Sequence, residues 1–428
     1  MSKTLSNAAD AKQQDKKDLI KQGKQAYDRL ALGVDIGTSH CEVLVYGKNY
    51  DEHDEEAYHY SEKPISVSCI SSLILFAKEN ESSMNYVLKF QRFHDLPLQE
   101  EYLDGVKVPY VYYQQIEDLL KDKKMTAEEF DTLKRSTNTH YPVKTKKEGS
   151  NYCEREIAVI RLNIGRLLNP YIKMGMPLDI TFAKPCEAGA GYDKILQEMA
   201  AAEANKNGTN DNRFMIRSEA VFTGHFLINM LESPHQTIAV CDIGAGTGDV
   251  YIFDQDDSKT KAMKTFTSAG NYVTLELMNQ LKEHSDIEIS ELDANNLKEK
   301  YGYINGFRAP KTVKPVLVDL YSRGKQRKAR TGKSLDAASR PMAHAAVNTI
   351  IKVFEEYDGY HPKSVALTGY QGQLEGLDKA IEEGLLHEGY KVTVKNLYAF
   401  GEADPRNIVG KAAENYSRSL KNNSWIAL

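Results

Sequence analysis

The feature that most constrains this chain is a pattern that occurs twice. Residues Ala31–Gly47 read ALGVDIGTSHCEVLVYG and residues Thr237–Phe253 read TIAVCDIGAGTGDVYIF. Each is an apolar run ending in Asp-Ile-Gly, then a short turn of glycine and hydroxyl residues, then a second apolar run. That is the signature of a strand–turn–strand hairpin. Its repetition within one chain predicts two related lobes.

The 428 residues are enough for two or more packed domains. With 41% hydrophobic residues a sizeable core is within reach, and 27% charged residues are ordinary for a globular chain. A net charge of −5 and a pI near 6.2 give no push toward nucleic acid or an anionic membrane. The five cysteines, Cys41, Cys69, Cys153, Cys186 and Cys241, lie far apart with no CxxC pair or zinc spacing, which fits a reducing compartment. The N-terminal stretch lacks the apolar core of a signal peptide, and no run of about 18 apolar residues occurs. The expected location is the cytoplasm.

Along the chain, residues 1–30 read as a charged tail, either solvated or a contact arm for a partner. Residues 31–235 form an expected lobe I carrying the first turn, with a small subdomain at about 85–141. Residues 236–428 form lobe II with the second turn and a small subdomain at about 276–338. Strands are expected at Val67–Phe76, Leu178–Ala183, Met215–Ile216 and Ser364–Thr368. Helices are expected at about Glu154–Leu168, Tyr192–Ala204, Glu219–Leu231, Val273–Glu283, Pro341–Tyr357 and Asn407–Ser419. An acidic loop is expected at Asp51–Glu56. A basic loop is expected at 323–333, solvated or else an inter-subunit contact facing such an acidic patch. No aromatic interleaving accompanies it, so no nucleic-acid role is expected.

The paired turns suit a polyphosphate. Glycine lets backbone N–H groups approach phosphate oxygens without a Cβ in the way. The groups so placed are Gly37, Thr38 and Ser39 in the first turn, and Gly244, Gly246, Thr247 and Gly248 in the second. The hydroxyls of Thr38, Ser39 and Thr247 add hydrogen bonds. Asp35 and Asp242, facing each other across the phosphates, suit a water-filled Mg2+ shell. A third element, the strand leading into Leu367-Thr368-Gly369 and Tyr370, follows in the order a nucleotide site requires.

These residues carry a resemblance. GVDIGTSH and CDIGAGTGDV are similar to the two phosphate loops of the superfamily of actins, heat-shock ATPases and sugar kinases. SVALTGYQGQLEGL, residues 364–377, resembles its adenosine motif, and NLKEKYGY, residues 296–303, resembles the actin segment that contacts adenosine. The resemblance implies an α/β, actin-like (ribonuclease H-like) fold: two duplicated lobes, each a mixed sheet flanked by helices with an inserted smaller subdomain. It implies that Lys298 and Glu299 hold base and ribose, with Gly270 of SAGNYV beside them and Gly369 and Tyr370 closing the site.

The finer resemblance is to the bacterial filament-forming actins, the magnetosome actins in particular. It runs from about Ala31 to Leu428 with an interruption at 85–140. It is carried in order by GVDIGTSHCEV, YPVKTKKEG, RSEAVFTG, CDIGAGTGDV and TSAGNYV, and by Trp425 near the end of the chain. In bacterial actins the glutamate of RSEAVFTG orients the attacking water, which makes Glu219 the catalytic candidate alongside Asp35 and Asp242. The other reading of Glu219 is an acidic residue favouring a helix N-terminus after Ser218. Two departures stand out. Ala220 replaces the family's proline, and Gly369-Tyr370-Gln371-Gly372 replaces its run of glycines and a small hydroxyl residue. Tyr370 either crowds the α-phosphate and sugar or stacks on the base, and ATP versus GTP preference stays open.

The implied function is an ATPase that binds ATP with Mg2+, carries ADP after hydrolysis and self-associates into filaments aligning or positioning magnetosomes, together with magnetosome-associated proteins. A plasmid-segregating actin is a close variant, and a degenerate actin that binds partners with weak turnover is another. A chaperone ATPase would need a substrate domain, and only about 50 residues follow the adenosine motif. A small-molecule kinase would need a carboxylate base in a sugar-kinase context, and none is recognisable.

Overall fold

A computed structural model describes residues 27–38, 40–50, 58–61, 63–143, 151–185, 188, 190–204, 211–231, 237–256, 259–309, 312–322, 325–359, 361–396 and 426–427. The expected features at Ser39, Asp51–Glu56, most of YPVKTKKEG, Asn407–Ser419 and Trp425 lie outside the described residues. The chain divides into two units. Unit 1 is Met1–Phe222 with Val409–Leu428, and unit 2 is Thr223–Ile408.

Unit 1 begins with β1 (Arg29–Ile36) and β2 (His40–Tyr50), followed by β3 (Tyr58–Tyr60) and β4 (Ser66–Ser71). An inserted subdomain follows, made of β5 (Ile74–Ala77), α1 (Glu81–Phe93), β6 (Glu100–Leu103), β7 (Val106–Tyr112), α2 (Tyr113–Lys121), α3 (Ala127–Ser136) and β8 (Thr137–His140). Its sheet runs β6-β7-β5-β8. Local signals set its helices. Asn80 accepts a hydrogen bond from Ser83 N at the start of α1, and Thr126 and Glu129 form a capping box on α3. The chain then returns through α4 (Glu154–Ile172), β9 (Leu178–Lys184), α5 (Ala190–Ala204) and β10 (Arg213–Ser218). The main sheet has the order β10-β9-β1-β2, with both β3 and β4 paired to β2. β1 and β9 are buried along nearly their whole length, with both faces covered, as parallel strands require. Their side chains meet α4 through Ile160, Ile164, Leu167 and Leu168.

α6 (Glu219–Leu231) leads into unit 2: β11 (Thr237–Ile243), β12 (Gly248–Asp254) and β13 (Lys259–Phe266). Then come α7 (Gly270–Ser285), α8 (Glu291–Tyr301), β14 (Leu317–Ser322), β15 (Lys325–Arg330), α9 (Gly332–Glu356), β16 (Ser364–Thr368), a 3-10 turn at Tyr370–Gln373, α10 (Leu377–His387) and β17 (Thr393–Asn396). The main sheet runs β13-β12-β11-β16-β17, antiparallel for its first three strands and parallel for its last three. Unit 1 has the same plan, with β4, β2, β1, β9 and β10 in the corresponding places. The duplicated hairpins are therefore the first halves of two sheets of the same topology. The last strand, β18 (Ile426–Ala427), pairs antiparallel with β10, so the end of the chain joins the sheet of unit 1, not the second lobe to which its position assigns it.

Four further expectations are corrected. β1 starts at Arg29, inside the expected tail, and Arg29 is buried. Val67–Phe76 is two strands in two sheets, because Ser72 leaves the ladder: its hydroxyl donates to Thr38 O (2.6 Å) and its carbonyl accepts from Asn163 Nδ2 (3.0 Å). The described part of the basic stretch, from Lys325 onward, is not a loop. Residues 325–330 form β15, paired with β14 and held by burial of Leu320 and Ala329. The helix expected from Pro341 starts at Gly332, because Leu335 and Ala338 pack in the core and outweigh the preference of proline for a first turn.

Candidate functional site

In unit 1 the first turn closes between Ile36 and Cys41, which face each other in the ladder. Asp35 ends β1 opposite Glu42 on one side and Ala183 on the other. A Cβ on Gly37 would sit 2.0 Å from the carbonyl oxygen of His40, so only glycine makes this turn. Thr38 is pinned by the Ser72 hydroxyl, and Ser72 by buried Asn163 of α4, which also donates to Val159 O. Neither Ser72 nor Asn163 was singled out by the sequence.

In unit 2 the second turn closes between Ile243 and Gly248 with the same number of residues, and Asp242 ends β11 opposite Asp249 and Thr368. The two turns thus share register, length and the place of the aspartate. Gly244 N donates to Thr247 O (2.9 Å), which tightens the turn. The carbonyls of Gly244 and Ala245 accept from Gly270 N and Asn271 N (3.1 and 2.7 Å), so the turn satisfies the first amides of α7. Gly248 lies flat against Phe266, where a Cβ would come within 2.1 Å of the ring. Gly246 and Thr247 are half-buried at the tip.

Gly369 follows β16 with φ +78°, and a Cβ there would lie 2.3 Å from Asp242 Oδ1 and 2.5 Å from Ile243 O. Its backbone thus presses on the Asp242 carboxylate. Thr368 is fully buried, and its hydroxyl has no hydrogen-bond partner among the described residues. A carboxylate and a hydroxyl at one strand end are hard oxygen donors. They fit Mg2+, which takes one or two carboxylates and keeps its waters. Among the described residues no group of three or more His, Cys, Asp and Glu is placed to cage a metal.

Lys298, Glu299, Tyr370 and Gln371 line one cavity of about 50 Å3 within unit 2. Lys298 is only 4% exposed, and its ammonium donates to Gly270 O (3.0 Å) and Thr274 Oγ1 (2.9 Å). Burial lowers its pKa to about 8, against the opposing pull of Glu299 and Glu291. Glu299 is exposed and accepts from Asn295 Nδ2 (2.8 Å). Gly270 is bare because the carboxamide of Gln371 lies on it, 2.7 Å from where a Cβ would be. The candidates named from the adenosine resemblance are therefore neighbours here, and Gln371 is a member the sequence did not single out.

Glu219 opens α6, half-buried. The preceding Ser218 hydroxyl accepts from Ala220 N (3.1 Å) and so caps the helix. Gly224 at the end of the same motif packs on Phe253, whose ring a Cβ would meet at 2.3 Å.

Comparison with known proteins agrees with this architecture. No family model matches the chain. The actin-like protein MamK of Paramagnetospirillum magneticum (strain AMB-1) is 23% identical over 249 residues, 55% of this chain, and the match spans 65% of that protein's length. Among solved structures, a MamK double helical filament superposes with a TM-score of 0.62 at 19% identity, covering 92% of this chain and 99% of the other. MreB5 of Spiroplasma citri bound to ADP gives 0.60 at 13%, covering 92% and 98%. A non-polymerising MamK mutant bound to AMPPNP gives 0.51 at 20%, covering 92% and 100%. No described helix is long and apolar enough to cross a membrane. The chain has the actin-like fold, and it is similar to the bacterial actin-like protein MamK in sequence and in structure.

Proposed function

We propose that this protein binds ATP with Mg2+, hydrolyses it, and couples the cycle to assembly and release of filaments of itself. The observation that carries the reading is the pair of Asp-Ile-Gly turns in identical register, each ending a central strand in one of two sheets of the same topology. Backbone amides of Gly37, Thr38, Gly246, Thr247 and Gly248, with the Thr38, Ser39 and Thr247 hydroxyls, hold the phosphates, and Gly244 shapes the turn that presents them. Asp35 and Asp242 hold the ion, which when bound neutralises charge on the γ-phosphoryl oxygens. Glu219 orients water. Lys298, Glu299, Gly270, Gly369 and Tyr370 surround ribose and base.

The solved likenesses titled as a filament and as ADP and AMPPNP complexes support both halves of the reading. Head-to-tail contacts that do not close into a ring build filaments. The cargo assigned here is the magnetosome, in the cytoplasm with magnetosome-associated partners, and a plasmid is the variant.

The small size of the cavity beside Tyr370 favours a second reading, an actin-fold partner-binding protein with little turnover. A volume of about 50 Å3 is far below the roughly 300 Å3 of ordinary ligand pockets, so a base enters only when the lining, with Tyr370 in it, opens. Pelleting, electron microscopy and phosphate release with and without ATP–Mg2+ separate the two. The expected outcome is filaments with ATP, and for Glu219→Ala a fall in phosphate release of about a hundredfold with longer-lived polymer. A protein that stays monomeric with every nucleotide defeats the filament reading, and equal release by wild type and variant removes Glu219 from catalysis.

A further inference from the structure

Gln371 is 5% exposed and lines the cavity shared with Lys298, Glu299 and Tyr370. Its carboxamide has no hydrogen-bond partner among the described residues, although its neighbours are well bonded. Lys298 is satisfied by Gly270 O and Thr274 Oγ1, and the carbonyl of Gly372 accepts from Asn396 Nδ2. Room for the amide is made by the missing side chain at Gly270. The amide oxygen and nitrogen are not among the fully buried atoms that lack a partner, so they reach the cavity and are open to a group that enters it.

We propose that Gln371 reads the base of the nucleotide and selects adenine over guanine. This deepens the proposed nucleotide binding and rests on it. A carboxamide presents one donor group and one acceptor side by side. Adenine offers the complementary acceptor and donor at N7 and N6, which glutamine engages with two hydrogen bonds. The corresponding edge of guanine offers two acceptors, which call for arginine or lysine. Lys298, a cation that lines the same cavity, is already committed to Gly270 and Thr274. Tyr370, standing half-buried at the same cavity, then supplies a ring for stacking.

The test is calorimetric titration of the full-length protein with ATP, GTP and the triphosphate of unsubstituted purine riboside, which lacks the 6-amino group. Wild type is expected to bind ATP about tenfold to a hundredfold more tightly than either of the others. Gln371→Leu is expected to bring all three within about threefold, by weakening ATP and leaving GTP unchanged. Gln371→Asn, which keeps the amide, is expected to retain part of the preference. Equal affinity of wild type for ATP and GTP, or an unchanged preference in Gln371→Leu, overturns the assignment and leaves nucleotide binding standing. Absence of uptake of any triphosphate overturns both.

Discussion

The two halves of the duplication are alike in plan and unlike in where they tolerate change. Both turns join strands in the same register, yet Gly37 has a carbonyl 2.0 Å from its missing Cβ, whereas Gly244 has its nearest neighbour, Thr247 O, at 3.5 Å. At the strand beside each aspartate the tightness reverses. Unit 2 places Gly369 against the carboxylate of Asp242, whereas the matching position in unit 1 is Lys184, a long side chain paired with Asp193 (2.7 Å). The far ends of the sheets differ more. Asp179 of β9 is fully buried and takes hydrogen bonds from Arg29 (3.0 and 2.7 Å), Lys48 (2.5 Å) and Arg213 (2.9 and 2.8 Å). The matching place on β16 is Ser364, half-buried and neutral. Duplication preserved the turn geometry, while each sheet settled its own polar end.

The largest expected effect comes from that polar end. Burial alone would raise the Asp179 pKa, but the Arg213 hydrogen bond and the charges of Lys48, Arg29 and Arg213 outweigh it and hold it below the usual carboxylate range. Asp179→Ala leaves buried cations without their common anion, a loss of about 3–5 kcal/mol. Ser364→Ala is expected to stay within about 0.5 kcal/mol. Amide hydrogen exchange in β1 and β9, set against β11 and β16, localises the loss to unit 1. The same carboxylate gives a pH signature. Its folded pKa is depressed, so its contribution is complete above the unfolded value of about 3.9 and is lost as pH falls below it. Equal losses in the two variants would mean that the cation cluster does not distinguish the sheets.

The turns come next. Gly37→Ala must push the His40 carbonyl away and open the loop, at a cost of about 1–3 kcal/mol. Gly244→Ala meets only an ordinary contact and is expected to change stability by less than about 0.5 kcal/mol. Thermal melts of the two variants, with ATP binding measured on each, decide the point. Similar melting temperatures would show that the first turn relaxes freely, and the contrast between the halves would then go.

Much of this plan was legible in the sequence, because its strongest signals are local. The second hairpin, α6 and β16 are apolar runs bounded by glycine or charge, and their observed limits match those expected to within one residue, whereas the first hairpin starts two residues earlier and ends three later. The split between β4 and β5 was not legible, since it depends on Asn163, far along the chain from Ser72. β15 was hidden because Ala329 is its one buried apolar position amid lysines and arginines. At the candidate site, the aspartates and glycines follow from the turns themselves, and Lys298 and Glu299 from resemblance. The closeness of Gly369 to Asp242, and of Gln371 to Gly270, arises only when separate elements pack.

The smallest expected effect separates how each unit fastens its turn. Unit 1 does so with neutral groups, Asn163 to Ser72 to Thr38. Unit 2 fastens Gly270, whose amide holds the carbonyl of Gly244, through the ammonium of Lys298. Burial brings that ammonium down to about 8, while an unfolded lysine keeps its proton to about 10.4. Between those values the unfolded chain binds more protons than the folded one. Stability contributed by this group therefore rises with pH from about 8 to 10, by at most about 1.4 kcal/mol per pH unit. Lys298→Met removes the titrating group and keeps the packed stem, so the difference in urea unfolding between wild type and variant should grow across that window in favour of wild type. Hydrogen exchange should place the change in α7 and β11 and leave β1 unaffected. A flat difference between pH 8 and 10 would mean that the ammonium reaches solvent and keeps its proton in the folded state, so that burial does not set the second turn apart from the first.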